Sequence, residues 1–205
     1  MPSTGTSTDR RTLLFGGTFD PVHYGHLYII SKAIELTDYE RIVVMPAAIS
    51  NFKPGTHPAG GADRLAMLSL ALEHVDARGR EIVLSSYEID KSGVSYTYDT
   101  VCEMYRRFGI AGRLGFLMGD DLLADLSRWY RYDDLCALVD FVCFTRDGVN
   151  LDCPEGAAVR FFSVEPFHAS STDVRSGDMT GLPPEVARYI EEHGLYHAGR
   201  NRQGD

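Results

Sequence analysis

Residues 12–26 read TLLFGGTFDPVHYGH, and this stretch is the strongest indication of the fold. The short apolar run Thr12–Phe15 ends in two glycines, which is typical of a buried strand. Tyr24–Thr37 then places apolar residues three and four positions apart, which predicts a helix with one buried face. A buried strand that leads through a glycine turn into a helix is the repeating unit of a parallel sheet, so this stretch predicts an α/β protein.

The same alternation continues along the chain. Five further strands are predicted at Arg41–Pro46, Glu81–Ser85, Arg113–Met118, Asp140–Thr145 and Arg160–Val164. Further helices are predicted at Asp63–His74, Tyr98–Phe108, Asp133–Leu138 and Pro183–Glu192. We therefore expect an α/β fold in a single domain, a Rossmann-like parallel sheet with helices on both faces. This domain should run from residue 11 to 197, between a disordered segment at 1–10 and a flexible tail at 198–205.

The composition indicates a globular protein that binds neither nucleic acid nor membrane. Hydrophobic residues make up 44% of the 205 residues and charged residues 24%, and both values are ordinary for a globular domain. The net charge of −9 disfavours nucleic acid and anionic membranes, which attract basic surfaces. The four cysteines form no C-x-x-C pair, which favours reduced thiols in a cytosol. We expect a soluble, cytoplasmic protein, and the sequence leaves open whether it forms a homo-oligomer.

The turn between the first strand and the first helix has the chemistry of a phosphate site. Two glycines allow a phosphate to approach the backbone closely, and His23 and His26 share one face at the start of the helix. Two glycines alone would indicate no more than a turn, and two histidines alone would indicate a surface accident or half of a metal site. All eleven residues from 16 to 26, in a strand–turn–helix context, favour the phosphate site.

Residues 16–26 resemble the G-G-T-F-D-P-x-H-x-G-H signature of the nucleotidyltransferase superfamily that has an HxGH motif. Ser170–Arg175, with the sequence SSTDVR, is similar to the second signature of that superfamily, S-S-T-x-[IV]-R. The resemblance implies nucleotidyl transfer, with both histidines contacting the phosphates of ATP.

Four further segments resemble bacterial nicotinate-nucleotide adenylyltransferases, and the resemblance spans the chain from about Leu13 to Tyr196. These segments are Ser95-Tyr96-Thr97 with Asp99-Thr100, then Met118–Asp121, Trp129-Tyr130 and Val186–Tyr196. The resemblance implies transfer of the adenylyl group of ATP to nicotinate mononucleotide, which gives deamido-NAD and pyrophosphate. A nucleotide 5′-phosphate is a dianion at neutral pH, so no general base and no covalent intermediate are expected. Magnesium (Mg2+) should arrive with ATP rather than in a protein cage.

The resemblance also implies the site residues. The residues expected to drive the reaction are His23, His26, Arg175 and Lys53. The residues expected to bind ATP are Gly16, Gly17, Thr18, Phe19, His23, His26, Gly119, Asp121, Ser170, Ser171, Thr172 and Arg175. The residues expected to bind the nicotinate nucleotide are Thr97, Trp129, Tyr130 and Lys53. No protein metal ligand is expected, and Asp20 should have at most an indirect role toward the metal.

Several of these residues also have a purely structural interpretation. Trp129 is the only tryptophan, and a lone tryptophan is more often part of a core, although its polar neighbours favour stacking on a pyridine ring. Thr97 is equally well explained as a helix N-cap. Asp121 can cap the next helix or accept a bond from a ribose hydroxyl. Ser170–Thr172 can be a capping run rather than a phosphate cradle.

One loop departs from the family pattern. The segment after the second strand usually contains P-H-[KR], whereas this chain has Phe52 before Lys53. A contact to a substrate is therefore expected to be missing there or to be supplied by another residue.

Three alternative functions remain open at the level of the sequence. The first keeps the chemistry and changes the acceptor, to nicotinamide mononucleotide, pantetheine phosphate, FMN or a cytidylyl substrate. The second is a nucleotide-binding sensor without turnover, which the presence of His23, His26 and Arg175 disfavours. The third is a nicotinamide-dependent dehydrogenase, which the absence of G-x-G-x-x-G at residues 16–21 disfavours.

Overall fold

Six parallel strands form one sheet in the computed structural model, which describes residues 10–48, 59–91, 94–145, 152–167 and 169–196. The strands are β1 (Thr12–Gly17), β2 (Arg41–Pro46), β3 (Glu81–Leu84), β4 (Leu114–Gly119), β5 (Val139–Thr145) and β6 (Val159–Ser163). Their order across the sheet is β3-β2-β1-β4-β5-β6, and every neighbouring pair is parallel.

Helices cover both faces of this sheet, as the sequence predicted. They are α1 (Tyr24–Leu36), α2 (Gly61–Leu72), α3 (Tyr87–Asp90), α4 (Thr97–Phe108), α5 (Tyr132–Leu138), α6 (Ser171–Arg175) and α7 (Pro184–Glu192), with a 3-10 helix at Asp120–Arg128. Buried side chains of α1, α2 and α7 pack on one face of the sheet. Those of α4, α5 and the 3-10 helix pack on the other. No helix in the described part of the chain is long and apolar enough to cross a membrane.

The central strands are buried on both faces, which explains their almost continuous apolar sequences. In β4, Phe116 and Met118 face one core and Leu117 faces the other. Gly115 lies beneath the ring of Tyr39, where a Cβ would lie 2.4 Å from the ring carbon Cζ. The glycine therefore allows the loop before β2 to pack directly against β4.

All six predicted strands are present, and their ends lie within two residues of the predictions. The 3-10 helix and the one-turn helix α3 were not predicted. Leu123 and Leu126 are buried and lie three residues apart, which puts both on one side of a helix with three residues per turn. This period repeats too briefly within Asp120–Arg128 to be recognised in the sequence alone.

The order of the strands places a crevice beside β1. The chain builds β1, β2 and β3 in one direction across the sheet and then continues with β4, β5 and β6 on the other side of β1. Where the direction reverses, the connections after β1 and β4 leave on opposite faces of the sheet. In open α/β sheets, ligands bind in the crevice that this arrangement leaves at the carboxyl ends of the two strands. The carboxyl ends of β1 and β4 are Gly17 and Gly119, at the start of two predicted site segments.

Candidate active site

A cavity of about 310 Å³ lies at the carboxyl ends of β1 and β4. Its walls come from the start of α1, from the end of β4 with the first turn of the 3-10 helix, and from residues 164–167 with Ala169. The predicted site residues that line it are His23, His26, Gly119 and Asp121. The sheet topology thus brings together two segments that are about 95 residues apart in the sequence.

The two histidines of the motif are stacked at the N-terminus of α1. Their ring centroids lie 3.8 Å apart with an angle of 31° between the planes. The backbone N–H of His23, the N-cap residue, donates to Nδ1 of His26 at 3.2 Å. Because His26 Nδ1 accepts this bond, a neutral His26 carries its proton on Nε2. That nitrogen is then the hydrogen-bond donor that His26 can offer to a ligand.

Both imidazoles are uncharged at neutral pH. Burial lowers the pKa of His23 to about 4, and the carboxylate of Asp173 opposes this shift only in part. Burial also lowers the pKa of His26 well below its ordinary value, and the neighbouring His23 lowers it further. The pair therefore presents N–H donors and the positive end of a helix dipole to an anion, rather than two cations.

Gly25 has a steric reason to be glycine. A Cβ at this position would lie 2.9 Å from Nδ1 and Cε1 of the His23 ring, and 3.5 Å from the carbonyl oxygen of Ala169. Any side chain would therefore displace His23 from its position against His26. This contact accounts for the glycine between the two histidines.

Helix α6 docks on the turn before α1 through side-chain hydrogen bonds to the backbone. Arg175 Nη1 donates to the carbonyl of Asp20 at 2.6 Å, and Ser171 Oγ donates to the carbonyl of Pro21 at 2.9 Å. Arg175 also donates from Nη2 to the hydroxyl of Thr172 at 3.1 Å. Ser170 is the N-cap of α6 and accepts from the N–H of Thr172 at 3.1 Å, so the capping interpretation is correct for Ser170.

The motif turn offers its backbone rather than the side chain of Phe19. Phe19 is 1% exposed and has a φ of 48°, and its ring packs edge-on against Phe15 at 5.4 Å and His26 at 4.8 Å. The side chain of Phe19 therefore belongs to the core, and ATP binding at this position, through the backbone, stays a prediction. Thr18 is exposed, and at Gly16 a Cβ would meet no other atom within 4 Å.

Comparisons with known proteins show the family of this chain. Residues 14–177 match the family described as cytidylyltransferase-like. The nicotinate-nucleotide adenylyltransferase of Bacillus subtilis is 32% identical, over 90% of this chain and 97% of the relative. A probable nicotinate-nucleotide adenylyltransferase of Halalkalibacterium halodurans is 34% identical, over 95% of both chains.

The chain belongs to the nicotinate-nucleotide adenylyltransferase family. A solved structure of the nicotinic acid mononucleotide adenylyltransferase of Plasmodium falciparum, complexed with APC, has the same fold, with a TM-score of 0.70 at 19% identity. The match covers 91% of this chain and 97% of that one. The same Plasmodium enzyme has also been solved in complex with NaAD, with a TM-score of 0.70.

The residues expected to bind the nicotinate nucleotide, apart from Lys53, lie at the start of α4 and just after the 3-10 helix. Trp129 is half-buried and meets Phe116 edge-on at 5.6 Å. Tyr130 is half-exposed, and its ring lies 4.5 Å from that of Tyr96. Thr97 is the first residue of α4, and the N-cap position belongs to Tyr96, so the capping interpretation of Thr97 is wrong.

A buried hydrogen bond holds the start of α4 in place. The hydroxyl of Thr100, 2% exposed, donates to Oε1 of Glu88 at 2.6 Å. The other oxygen of Glu88 accepts from the N–H of Ala48 at 3.1 Å. The segment that begins at Ser95 is thus attached both to α3 and to the end of β2.

Asp121 lies in the first turn of the 3-10 helix and does not cap it. The N-cap position is Gly119, and no side chain accepts a capping bond there. A Cβ at Gly119 would lie 2.5 Å from Oδ1 of Asp121, so the glycine lets this carboxylate fold back along the edge of the cavity. The capping interpretation of Asp121 is therefore wrong, and its bond to a ribose hydroxyl stays a prediction.

Several predicted residues and segments lie in parts of the chain that the structure does not describe. Lys53 and the neighbouring Phe52 lie outside the described residues, as do residues 1–9 and 197–205. In the described part of the chain, no three His, Cys, Asp or Glu side chains are grouped closely enough to hold a metal ion.

The structure also adds site residues that the sequence analysis missed. Tyr28 and Phe167 both line the cavity, and their rings are stacked with centroids 5.3 Å apart. Neither residue belongs to a motif, and they meet only because residues 164–167 lie against α1. The helical spacing of apolar residues in α1 predicted its buried face, but it could not predict that Tyr28 stacks on Phe167.

Proposed function

We propose that this chain transfers the adenylyl group of ATP to the 5′-phosphate of nicotinate mononucleotide, forming deamido-NAD and pyrophosphate as a step of NAD biosynthesis. The observation that carries the proposal is the pair of neutral, stacked histidines at the N-terminus of α1, lining the cavity between β1 and β4. Its relatives of similar length carry the name of this activity. The site residues assigned below are part of the same proposal.

The part of the site that we assign to ATP, the donor side, consists of the turn between β1 and α1 together with helix α6. The Nε2–H of His26 is suited to a phosphate oxygen, because it is a hydrogen-bond donor held in place by the fold. Arg175 adds a permanent positive charge, and its side chain is still one-third exposed after it has bonded to the Asp20 carbonyl. Gly16, Gly17, Thr18 and the Phe19 backbone complete this side, with Ser170, Ser171 and Thr172 at the start of α6.

The acceptor side is formed by α4 and the residues that follow the 3-10 helix. A nicotinate ring needs a flat surface and donors for its carboxylate, and we assign these roles to Trp129, to the N–H of Tyr130 and to the hydroxyl of Thr97. Tyr96 and Tyr98, which flank Thr97, both contact the ring of Tyr130, at 4.5 and 6.4 Å between centroids. Lys53 is assigned to the nicotinate nucleotide and to the reaction from its position in the sequence alone.

The reaction needs positioning rather than acid–base catalysis. An oxygen of the acceptor's 5′-phosphate, already a dianion, attacks the α-phosphorus of ATP in line. The bond from the α-phosphorus to the bridging oxygen breaks, and that oxygen leaves on pyrophosphate with the electron pair. Negative charge accumulates on the phosphoryl oxygens in the transition state, and His26, His23 and Arg175 stabilise it with fixed donors. Magnesium, if held by the phosphates of ATP, would supply neutralisation of their negative charge, and no protein ligand is proposed for it. The compartment we propose is the cytoplasm.

The proposal is tested by pyrophosphate release with ATP and magnesium, offering nicotinate mononucleotide, nicotinamide mononucleotide and pantetheine phosphate in parallel. Release should be fastest with nicotinate mononucleotide and should be lost in His26→Ala. Equal or faster release with nicotinamide mononucleotide would reject the acceptor and the carboxylate roles of Thr97 and Tyr130. ATP binding without release on any acceptor would instead favour a nucleotide sensor.

A further inference from the structure

Arg64, in the first turn of α2, is a fully buried arginine. It is 1% exposed, and its guanidinium donates to three backbone carbonyls. Nη1 reaches the carbonyl of Thr18 at 2.9 Å and that of Ala47 at 2.8 Å, and Nε reaches that of Ala59 at 3.3 Å. A buried guanidinium is costly unless its donors are satisfied, so this arrangement requires all three segments to be in place.

Asp20 is a second buried charged residue beside this arrangement, and its Oδ2 lies 4.0 Å from Nη1 of Arg175. It is 4% exposed, and its Oδ1 accepts from the N–H of Ala59 at 2.9 Å and from the hydroxyl of Tyr196 at 2.7 Å. Burial lowers the pKa of Arg64, and the carboxylate of Asp20 opposes that shift. Arg64 and Asp20 are linked through Ala59, whose carbonyl accepts from Arg64 and whose N–H donates to Asp20. Together they form one buried charged unit that holds the turn after β1 to both Ala47 and Ala59.

This unit acts on the peptide group that joins Thr18 to Phe19. In a trans peptide the C=O and the N–H point in opposite directions. When Arg64 holds the carbonyl of Thr18, it therefore also fixes the direction of the N–H of Phe19. Phe19 has a φ of 48°, a conformation that a residue with a Cβ adopts only when its surroundings impose it. Arg64 itself is not among the described residues that line the cavity.

We propose that Arg64 is a positioning residue for adenylyl transfer, which acts by holding the peptide between Thr18 and Phe19 in the orientation that ATP requires. This role rests on the proposed function. The role depends on the hydrogen bonds by which Arg64 in α2 reaches the turn after β1, a segment far from it in the sequence. It differs from a purely structural role because the carbonyl of Thr18 lies in the turn to which we assign the binding of the ATP phosphates.

The test compares Arg64→Met and Arg64→Lys with a matched control, Arg113→Met. Arg113 donates to the carbonyls of Cys136, Ala137 and Val139 and pairs with Asp140 at 2.6 Å, but it does so at the amino-terminal end of the sheet. Each variant is assayed for thermal unfolding, for the Kd of ATP without an acceptor, and for kcat and KM of both substrates. Assays are run well below each Tm, so that only folded protein is compared.

We expect kcat/KM for ATP to fall about 100-fold in Arg64→Met, since a displaced reactive group costs about that much. Arg64→Lys should recover part of this loss, because lysine keeps the charge but donates from a single nitrogen. The Kd of ATP should rise in both, while KM for nicotinate mononucleotide should change less. Arg113→Met should lower the Tm but leave kcat/KM for ATP within about twofold of wild type.

The proposal is overturned if a folded Arg64 variant binds ATP and turns over with constants within about twofold of wild type. It is also overturned if Arg113→Met loses activity in the same proportion, because the effect would then be one of stability alone. If Arg64→Met does not fold, Arg64→Lys decides by the same criteria. If wild type releases no pyrophosphate, the proposed function fails, but the ATP dissociation constants still decide the role of Arg64.

Discussion

His26 has two separable roles in the structure, and its replacement should separate them. Its Nδ1 accepts the N–H of His23 and so caps α1, whereas its Nε2–H is the donor available to a phosphate. Loss of one fixed donor to developing negative charge costs about 10²–10³ in kcat. Loss of a capping acceptor costs about 1 kcal/mol of stability, which lowers the Tm of a domain of this size by roughly 2–4 °C.

We expect His26→Ala to lower both kcat and the Tm, and His26→Asn to lower only kcat. The amide oxygen of asparagine can accept the N–H of His23, but the side chain is too short to place a donor where Nε2–H lies. His74, which pairs with Glu185 at 2.7 Å between α2 and α7, provides the control: His74→Asn should leave kcat unchanged. The assay is pyrophosphate release together with thermal unfolding. If His26→Asn recovered kcat along with the Tm, His26 would be a cap and not a catalytic donor.

Three further predictions follow from buried groups. Burial lowers the pKa of His23 from 6.5 to about 4, so between these pH values the unfolded chain binds more protons than the folded protein. The urea midpoint of unfolding should therefore fall as the pH is lowered from about 6.5 to 4. A midpoint that does not change with pH in this range would contradict the burial of the His23 ring. Trp129→Ala should raise KM for nicotinate mononucleotide by about tenfold with little change in KM for ATP, and a change confined to ATP would refute the assignment. Gly115→Ala places a Cβ 2.4 Å from the Tyr39 ring and should destabilise the fold by about 1–3 kcal/mol in urea unfolding, whereas an unchanged midpoint would contradict that packing.

The strands and the donor side could be predicted from the sequence because their signals are local. Each central strand is an apolar run buried on both faces, so its limits are visible in composition alone. The turn from Gly16 to His26 is a contiguous motif with strand, glycines and helix start in order. The comparisons confirm the predicted family and the single parallel sheet.

The contacts that complete the site could not be predicted, because they join residues that are distant in the sequence. Arg64 lies in the first turn of a predicted helix, where an arginine ordinarily faces solvent. Its burial depends on Thr18 and Ala47, which precede it by 46 and 17 residues. The expectation that Asp20 acts at most indirectly on a metal gave no sign that its carboxylate accepts hydrogen bonds from the N–H of Ala59 and the hydroxyl of Tyr196. Such roles depend on tertiary packing rather than on local pattern.

The most direct test of adenylyl transfer follows the phosphorus atoms of ATP. The protein is incubated with magnesium, nicotinate mononucleotide and ATP labelled either at the α-phosphorus or at the γ-phosphorus, and the products are separated. We predict that the α-label appears only in deamido-NAD and the γ-label only in pyrophosphate, with one dinucleotide formed per pyrophosphate released. Transfer of the γ-label to the mononucleotide, or release of pyrophosphate without a labelled dinucleotide, would contradict attack at the α-phosphorus and with it the proposed function.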